Sequence, residues 1–104
     1  MLATGMQNGI DDDTAASCLA ALGHPTRLKL YRTLVRAGPD GAPVGALQES
    51  LGVPASTLSH HVQALAGAGL VVQERNGRVL TTRADYDTMN RLIGFLTDQC
   101  CQGM

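Results

Sequence analysis

The stretch Val53-Pro54-Ala55-Ser56-Thr57-Leu58-Ser59-His60-His61-Val62-Gln63-Ala64-Leu65 decides how the chain is read. Leu58, Val62 and Leu65 recur at i, i+4 and i+7, which puts them on one side of a helix. Ser56, Ser59, His60 and Gln63 fall on the other side, a face of small polar groups without an acidic residue. A helix with such a face comes close to a phosphate backbone and reaches base edges. Pro54 suits the first turn, where its missing N–H costs nothing, and Gly67 and Gly69 are expected to end the helix. Taken alone, the stretch fits equally well a surface helix with no function, so its neighbours decide.

On the N-terminal side, a short helix is expected to open at Pro43 or Val44 and run through Leu47 to Leu51, where Gly52 breaks it. Two short helices joined through Gly52 have the length and punctuation of a helix-turn-helix. On the C-terminal side the period changes to that of strands. Leu70–Arg75 and Arg78–Thr82 are rich in strand formers, with Asn76-Gly77 between them as a hairpin turn. Arg75 and Arg78 flank that turn, and beside a recognition helix such a tip is a wing whose arginines enter the minor groove or pair with phosphate.

Two helices precede this unit and one follows it. Asp11-Asp12-Asp13 caps a first helix over about 14–22, through Cys18, Leu19 and Leu22. After Gly23, His24-Pro25 starts a second helix that carries Leu28, Leu30, Tyr31, Leu34 and Val35, interleaved with Arg27, Lys29, Arg32 and Arg36. It stops at Gly38-Pro39-Asp40-Gly41. The last helix is expected from about Asp85 to Cys101, with an apolar stripe of Tyr86, Met89, Leu92, Ile93 and Leu96 that nothing downstream covers. With the first helix, that stripe suits burial against a second copy of the chain. A two-fold pair then presents two recognition helices to a palindromic site. The fold class is mainly α with a β-hairpin wing: a winged helix-turn-helix of five helices, paired through the first and last. Residues 1–13 are expected to form a disordered leader, 14–101 the DNA-binding and dimerisation domain, and 102–104 a flexible tail.

Composition agrees with this reading. A chain of 104 residues is one domain, and with Tyr31, Tyr86 and Phe95 as its aromatics the core is aliphatic. Formal net charge is −1, which on its own does not suggest nucleic acid, but the charge is segregated. Residues 24–83 carry seven Lys or Arg against three Asp or Glu, a local +4, between acidic ends. A basic centre fits a DNA-facing middle. No apolar run reaches the length of a membrane span and no secretory signal is visible, so the expected compartment is the cytoplasm. Three cysteines, two of them adjacent, make no disulfide framework. There is no Cys-x-x-Cys, and neither His60 nor His61 is placed to activate a thiol, which argues against an enzyme.

Three segments together resemble the ArsR/SmtB family of metal- and metalloid-responsive repressors: Ala20-Ala21-Leu22-Gly23-His24-Pro25-Thr26-Arg27-Leu28, Ser56–Leu65, and Ala68-Gly69-Leu70-Val71. The resemblance spans about residues 15–100. It implies a homodimer that sits on double-stranded operator DNA and leaves when an inducer binds. Ser56, Thr57, Ser59, His60 and Gln63 would then meet bases or phosphates, and Arg75 and Arg78 would serve the wing; His61 matches a family DNA-binding position, with orienting the helix as its alternative role. One family metal site, a Cys-x-Cys pair at the start of the third helix, is absent, because Pro43 and Gly45 stand there. A second, on the last helix, matches Asp85, Asp87, Asp98 and Cys101, where carboxylates replace both imidazoles and argue against tight zinc binding.

The thiols remain. Cys100 and Cys101 suit a soft, thiophilic inducer, and the resemblance implies trivalent arsenic or antimony, or methylarsenite; no resident cofactor is required. Inorganic arsenite favours three sulfurs, whereas a monomethylated arsenical needs two. In this family the first helix packs near the last across the dimer interface, so Cys18 of one subunit is a candidate third ligand to Cys100 and Cys101 of the other. The competing reading makes Cys18 a small buried residue. A thiol-based redox or sulfide sensor of the same fold, using Cys18 and Cys100, is the alternative function.

Overall fold

The recognition helix is closed by its own sequence. In the computed structural model, which describes residues 9–98 and 100–103, this helix spans Ala55–Gly67. Gly69, at φ +80°, turns the chain left-handed just past its end. The Gly69 N–H then donates to the Ala66 carbonyl at 2.9 Å and the Leu70 N–H to the Leu65 carbonyl at 3.0 Å. These are the paired bonds of a Schellman cap, and the accompanying apolar contact comes from Leu65 and Leu70, both fully buried. Substituting any L-residue for Gly69 strains that turn.

In chain order the elements are α1 (Asp12–Leu22), α2 (Pro25–Ala37), β1 (Ala42–Pro43), α3 (Val44–Leu51), α4 (Ala55–Gly67), β2 (Val71–Asn76), β3 (Val79–Ala84) and α5 (Tyr86–Thr97). Among the described residues, five helices and the β2–β3 hairpin are what the winged helix-turn-helix reading expects, and a further short strand extends the antiparallel sheet to the order β1-β3-β2. The core is aliphatic: Leu30 and Leu34 of α2, Leu47 of α3, Leu58, Val62 and Leu65 of α4, and Leu70 meet in one cluster. Each fully buried leucine contributes roughly 1.5–3 kcal/mol of transfer free energy.

Four details differ from the sequence-based expectation. The first helix starts at Asp12 rather than near residue 14, because the Asp11 carboxylate accepts from the Thr14 N–H at 2.8 Å and acts as the cap. Asp12 and Asp13 therefore lie in the first turn rather than in the leader, whose residues 1–8 are outside the described residues. The hairpin turn sits one residue later than Asn76-Gly77. Asn76 pairs with Val79 across the ladder, so Gly77 and Arg78 are the central residues, with Gly77 at φ +63°. A glycine of positive φ in the first central position is the II′ pattern.

A short strand, β1, was not expected. It pairs Ala42 with Thr82 and Pro43 with Thr81, and it carries no sequence signal because two residues ending in proline show no alternation. It depends on Gly41, at φ +70°, whose Cα lies so close to the Thr82 carbonyl and the Arg83 side chain that a Cβ would overlap both. Finally, α5 ends at Thr97, short of the cysteines. Its last turn tightens: the Asp98 N–H donates to the Phe95 carbonyl three residues back, and the Thr97 hydroxyl takes up the Ile93 carbonyl. At the other end Asp85 caps the helix by accepting from Thr88 N–H, and the Tyr86 hydroxyl donates to the Val35 carbonyl at the end of α2.

Candidate nucleic-acid interface and thiol pair

Helix α4 presents Ser56, Thr57, Ser59, His60 and Gln63 to solvent on one face, as the sequence predicts. Gln63 and Ser59 are in reach of each other, with Nε2 and Oγ 3.5 Å apart. Pro54 precedes the helix without a side-chain cap, so its first backbone N–H groups are left for an anion such as a phosphate oxygen. Arg75 lies on β2 opposite Leu80 and Arg78 lies in the turn; both are exposed. Neither has an acidic partner among the described residues, whereas Arg83 behind them is tied to Glu74 at 2.8 Å. The wing therefore offers two unpaired guanidiniums beyond its tied base.

His61 is placed differently from the other proposed DNA contacts. It is buried at 6% exposure on the inner side of α4, and its Nδ1 accepts from Arg27 Nε at 3.2 Å. That bond fixes the neutral ring with its proton on Nε2. The His24 ring lies 4.7 Å away by centroid and the His60 ring 5.8 Å. Burial holds the His61 pKa below its ordinary value, and electrostatic repulsion from the neighbouring His24, Arg27 and His60 side chains acts in the same direction. A ring so enclosed and bonded to α2 is placed to fix the roll of α4 against α2, the orienting role that the sequence offers as its alternative. The signal was available: Leu58, His61, Val62 and Leu65 form the i, i+3, i+4, i+7 stripe of an amphipathic helix. Arg27, not singled out from sequence, is its partner.

The cysteines separate in the same way. Cys18 is fully buried, and its thiol donates to the Ala68 carbonyl at 3.3 Å, satisfying a backbone acceptor at the end of α4. Burial pushes that thiol pKa up, which disfavours the thiolate a metal or oxidant needs. Its placement speaks for the small buried residue and against a ligand. Cys100 and Cys101 are exposed just beyond α5, with their sulfurs 3.1 Å apart. An intact helix would splay adjacent side chains by about 100°; here Cys101 adopts φ +67° and the two thiols converge. The hydrogen bond between the two sulfurs holds the proton on Cys100 and raises its pKa.

Asp85 is spent on its cap, and Asp87 pairs with Arg91 at 2.9 Å. Among the described residues no three His, Cys, Asp or Glu side chains gather as a metal cluster. The set Asp85, Asp87, Asp98 and Cys101 therefore does not converge.

Comparison with known proteins follows the same lines. A helix-turn-helix domain family matches residues 22–74. The nodulation protein NolR of Rhizobium meliloti is 31% identical over 88 residues, covering 85% of this chain and 70% of that protein. An ArsR-like transcriptional regulator from Rhodococcus sp. RHA1 superposes with a TM-score of 0.71 at 28% identity, over 81% of this chain and 76% of that one. The chain belongs to the ArsR/SmtB family of winged-helix transcriptional regulators. Another family likeness is the homodimeric winged helix-turn-helix DNA-binding domain of Mb0332 from Mycobacterium bovis, with a TM-score of 0.68 at 25% identity over 86% of this chain and 82% of that fragment. This ArsR/SmtB chain is thus a DNA-binding regulator and not an enzyme. No described helix is long and apolar enough to cross a membrane.

Proposed function

We propose that this regulator is a homodimeric repressor that releases its operator when a trivalent arsenical carrying one organic substituent bridges Cys100 and Cys101. The observation that carries the reading is the vicinal thiol pair, exposed and converged at 3.1 Å. With Cys18 enclosed in the core, the chain offers two sulfurs there rather than three. A two-sulfur site suits a monosubstituted arsenical such as methylarsenite better than arsenite or antimonite, which fill a three-sulfur pyramid. In the exchange, two S–H and two As–OH bonds break, two As–S bonds form, and two waters leave.

Dimerisation rests on the family likeness and on apolar side chains left in water. Leu19 of α1 is 44% exposed, and Ile93 and Leu96 of α5 are 52% and 55% exposed. These side chains suit burial against a second copy, with the thiols at the edge of that surface. Release requires the inducer to bind the DNA-free arrangement better than the DNA-bound one. Bridging the thiols fixes the segment that follows α5, and a changed subunit orientation takes two recognition helices out of successive major grooves, about 34 Å apart. The redox alternative through Cys18 and Cys100 gains no support from a thiol that is buried and already hydrogen-bonded.

Mass spectrometry with methylarsenite tests the assignment. One arsenical per chain is expected, with two thiols lost to a thiol reagent. Cys18→Ala should leave that stoichiometry unchanged. An adduct that vanishes with Cys18→Ala while the variant stays folded contradicts the site.

A further inference from the structure

Among the described residues Arg83 is tied to Glu74 at 2.8 Å and Arg91 to Asp87 at 2.9 Å. Arg27, at the start of α2, is held in another way. It is half-buried, and no carboxylate among the described residues lies within ion-pair distance of it. Its one side-chain hydrogen bond there runs from Nε to the His61 ring at 3.2 Å, so both terminal nitrogens are left without an acceptor. The surroundings of the Arg27–His61 pair supply none. His24 Nδ1 takes the Thr26 N–H at 3.2 Å, so the neutral His24 ring, like that of His61, carries its proton on Nε2. The rings of His24 and His60 lie 4.7 Å and 5.8 Å from that of His61 by centroid. Taking a guanidinium partly out of water costs free energy unless an anion meets it, and this cluster of donors holds no anion.

The place of the pair says which anion. His60 belongs to the exposed face of α4 with Ser56, Ser59 and Gln63, and the exposed Thr57 stands one turn before His61. The start of α2 also borders the turn that leads into α4. Pro25, Thr26 and Lys29 line a small cavity of about 130 Å³ with Leu51 and Val53. Arg27 therefore stands beside the recognition helix, one side chain away from the face assigned to DNA. A helix that enters the major groove brings the elements at its flank against the phosphates that border the groove. We infer that Arg27 holds a DNA phosphate through its two terminal nitrogens, with His61 as the positioning residue that sets the plane of the guanidinium. Guanidinium and phosphate match as paired donors and acceptors, a stronger bond than a neutral contact. The contact carries no sequence information; it fixes the register of α4 in the groove. It rests on the assignment of α4 to DNA and is independent of the arsenical.

Anisotropy without inducer, on a duplex that the wild type selects from a random pool, tests this. Each phosphate is replaced in turn by a neutral methylphosphonate. Wild type should lose about tenfold in affinity at one phosphate in each half-site, as expected for a hydrogen bond between charged groups. Arg27→Gln should bind the unmodified duplex more weakly, yet lose less than about twofold further when that phosphate is neutral. At the other phosphates it should respond as wild type does. Citrulline at position 27 keeps the Nε–H, and with it the bond to His61, and removes only the charge. It should repeat the pattern of Arg27→Gln, which separates the contact from an effect on folding. If both replacements lose as much as wild type at every phosphate, the inference is overturned, and Arg27 acts only by holding His61. Wild type that selects no duplex overturns the assignment of α4 as well.

Discussion

Replacing His61 by Ala, beside the same change at His60, separates a residue that orients the recognition helix from one that touches DNA. The His61 ring is 6% exposed and takes the Arg27 Nε–H at 3.2 Å. A hydrogen bond to a charged group contributes about 1.5–3 kcal/mol. Arg27 is only half-buried, and on losing its acceptor it regains some water, so the lower part of that range applies. Loss of ring packing brings the total to about 2–3 kcal/mol, within the usual range for a buried large-to-small change. For a domain of this size, 1 kcal/mol moves Tm by about 4–8 °C, so a fall on the order of 10 °C is expected. His60 is exposed, and His60→Ala should leave stability within about 0.5 kcal/mol of wild type. It should instead weaken operator binding by about 1–3 kcal/mol. Calorimetric melting at one fixed protomer concentration, with fluorescence anisotropy on an operator fragment, gives both numbers. If His61→Ala melts within 2 °C of wild type, to within about the error of a ΔΔG near zero, and loses operator affinity as His60→Ala does, the orienting role is wrong.

Other consequences follow from the same contacts. The folded-state pKa of His61 lies below its ordinary value of 6.5, so its contribution is complete above pH 6.5 and is lost as pH falls through the folded value. Melting curves between pH 7.5 and pH 5 should show a smaller acid loss in His61→Asn than in wild type; an equal loss contradicts this. Gly41→Ala combines a positive φ with overlap on the Thr82 carbonyl, so it should destabilise by more than about 2 kcal/mol in a denaturant titration. Arg75→Gln and Arg78→Gln should each lower the salt slope of operator binding by about 1 and weaken all sequences alike. An unchanged slope places the wing away from phosphate.

Much of the architecture is legible in the residue order because local signals and burial agree there. Pro25 at the start of α2, Gly52 at φ +66° after α3, and Gly69 after α4 each mark a boundary by backbone chemistry alone. What sequence reading misses depends on partners far along the chain. β1 exists because Ala42 and Pro43 meet β3, and the hairpin turn slides one residue because the ladder aligns Asn76 with Val79. The inward faces of His61 and Cys18 follow helical spacing, since Ala15, Cys18 and Ala21 share the buried side of α1. Their polar chemistry invites a functional reading, whereas helical spacing places both side chains in the core. The convergence of Cys100 and Cys101 needs α5 to stop at Thr97, and the last turn tightens through bonds that hydrophobic periodicity does not encode.

The central claim is that the thiol pair governs hold on DNA, and operator release followed by anisotropy during a methylarsenite titration tests it most directly. Wild type should leave the operator on saturation, while Cys100→Ser/Cys101→Ser should bind the operator equally well without inducer and stay bound when the arsenical is added. Release of the double-serine variant at the wild-type concentration would contradict the account.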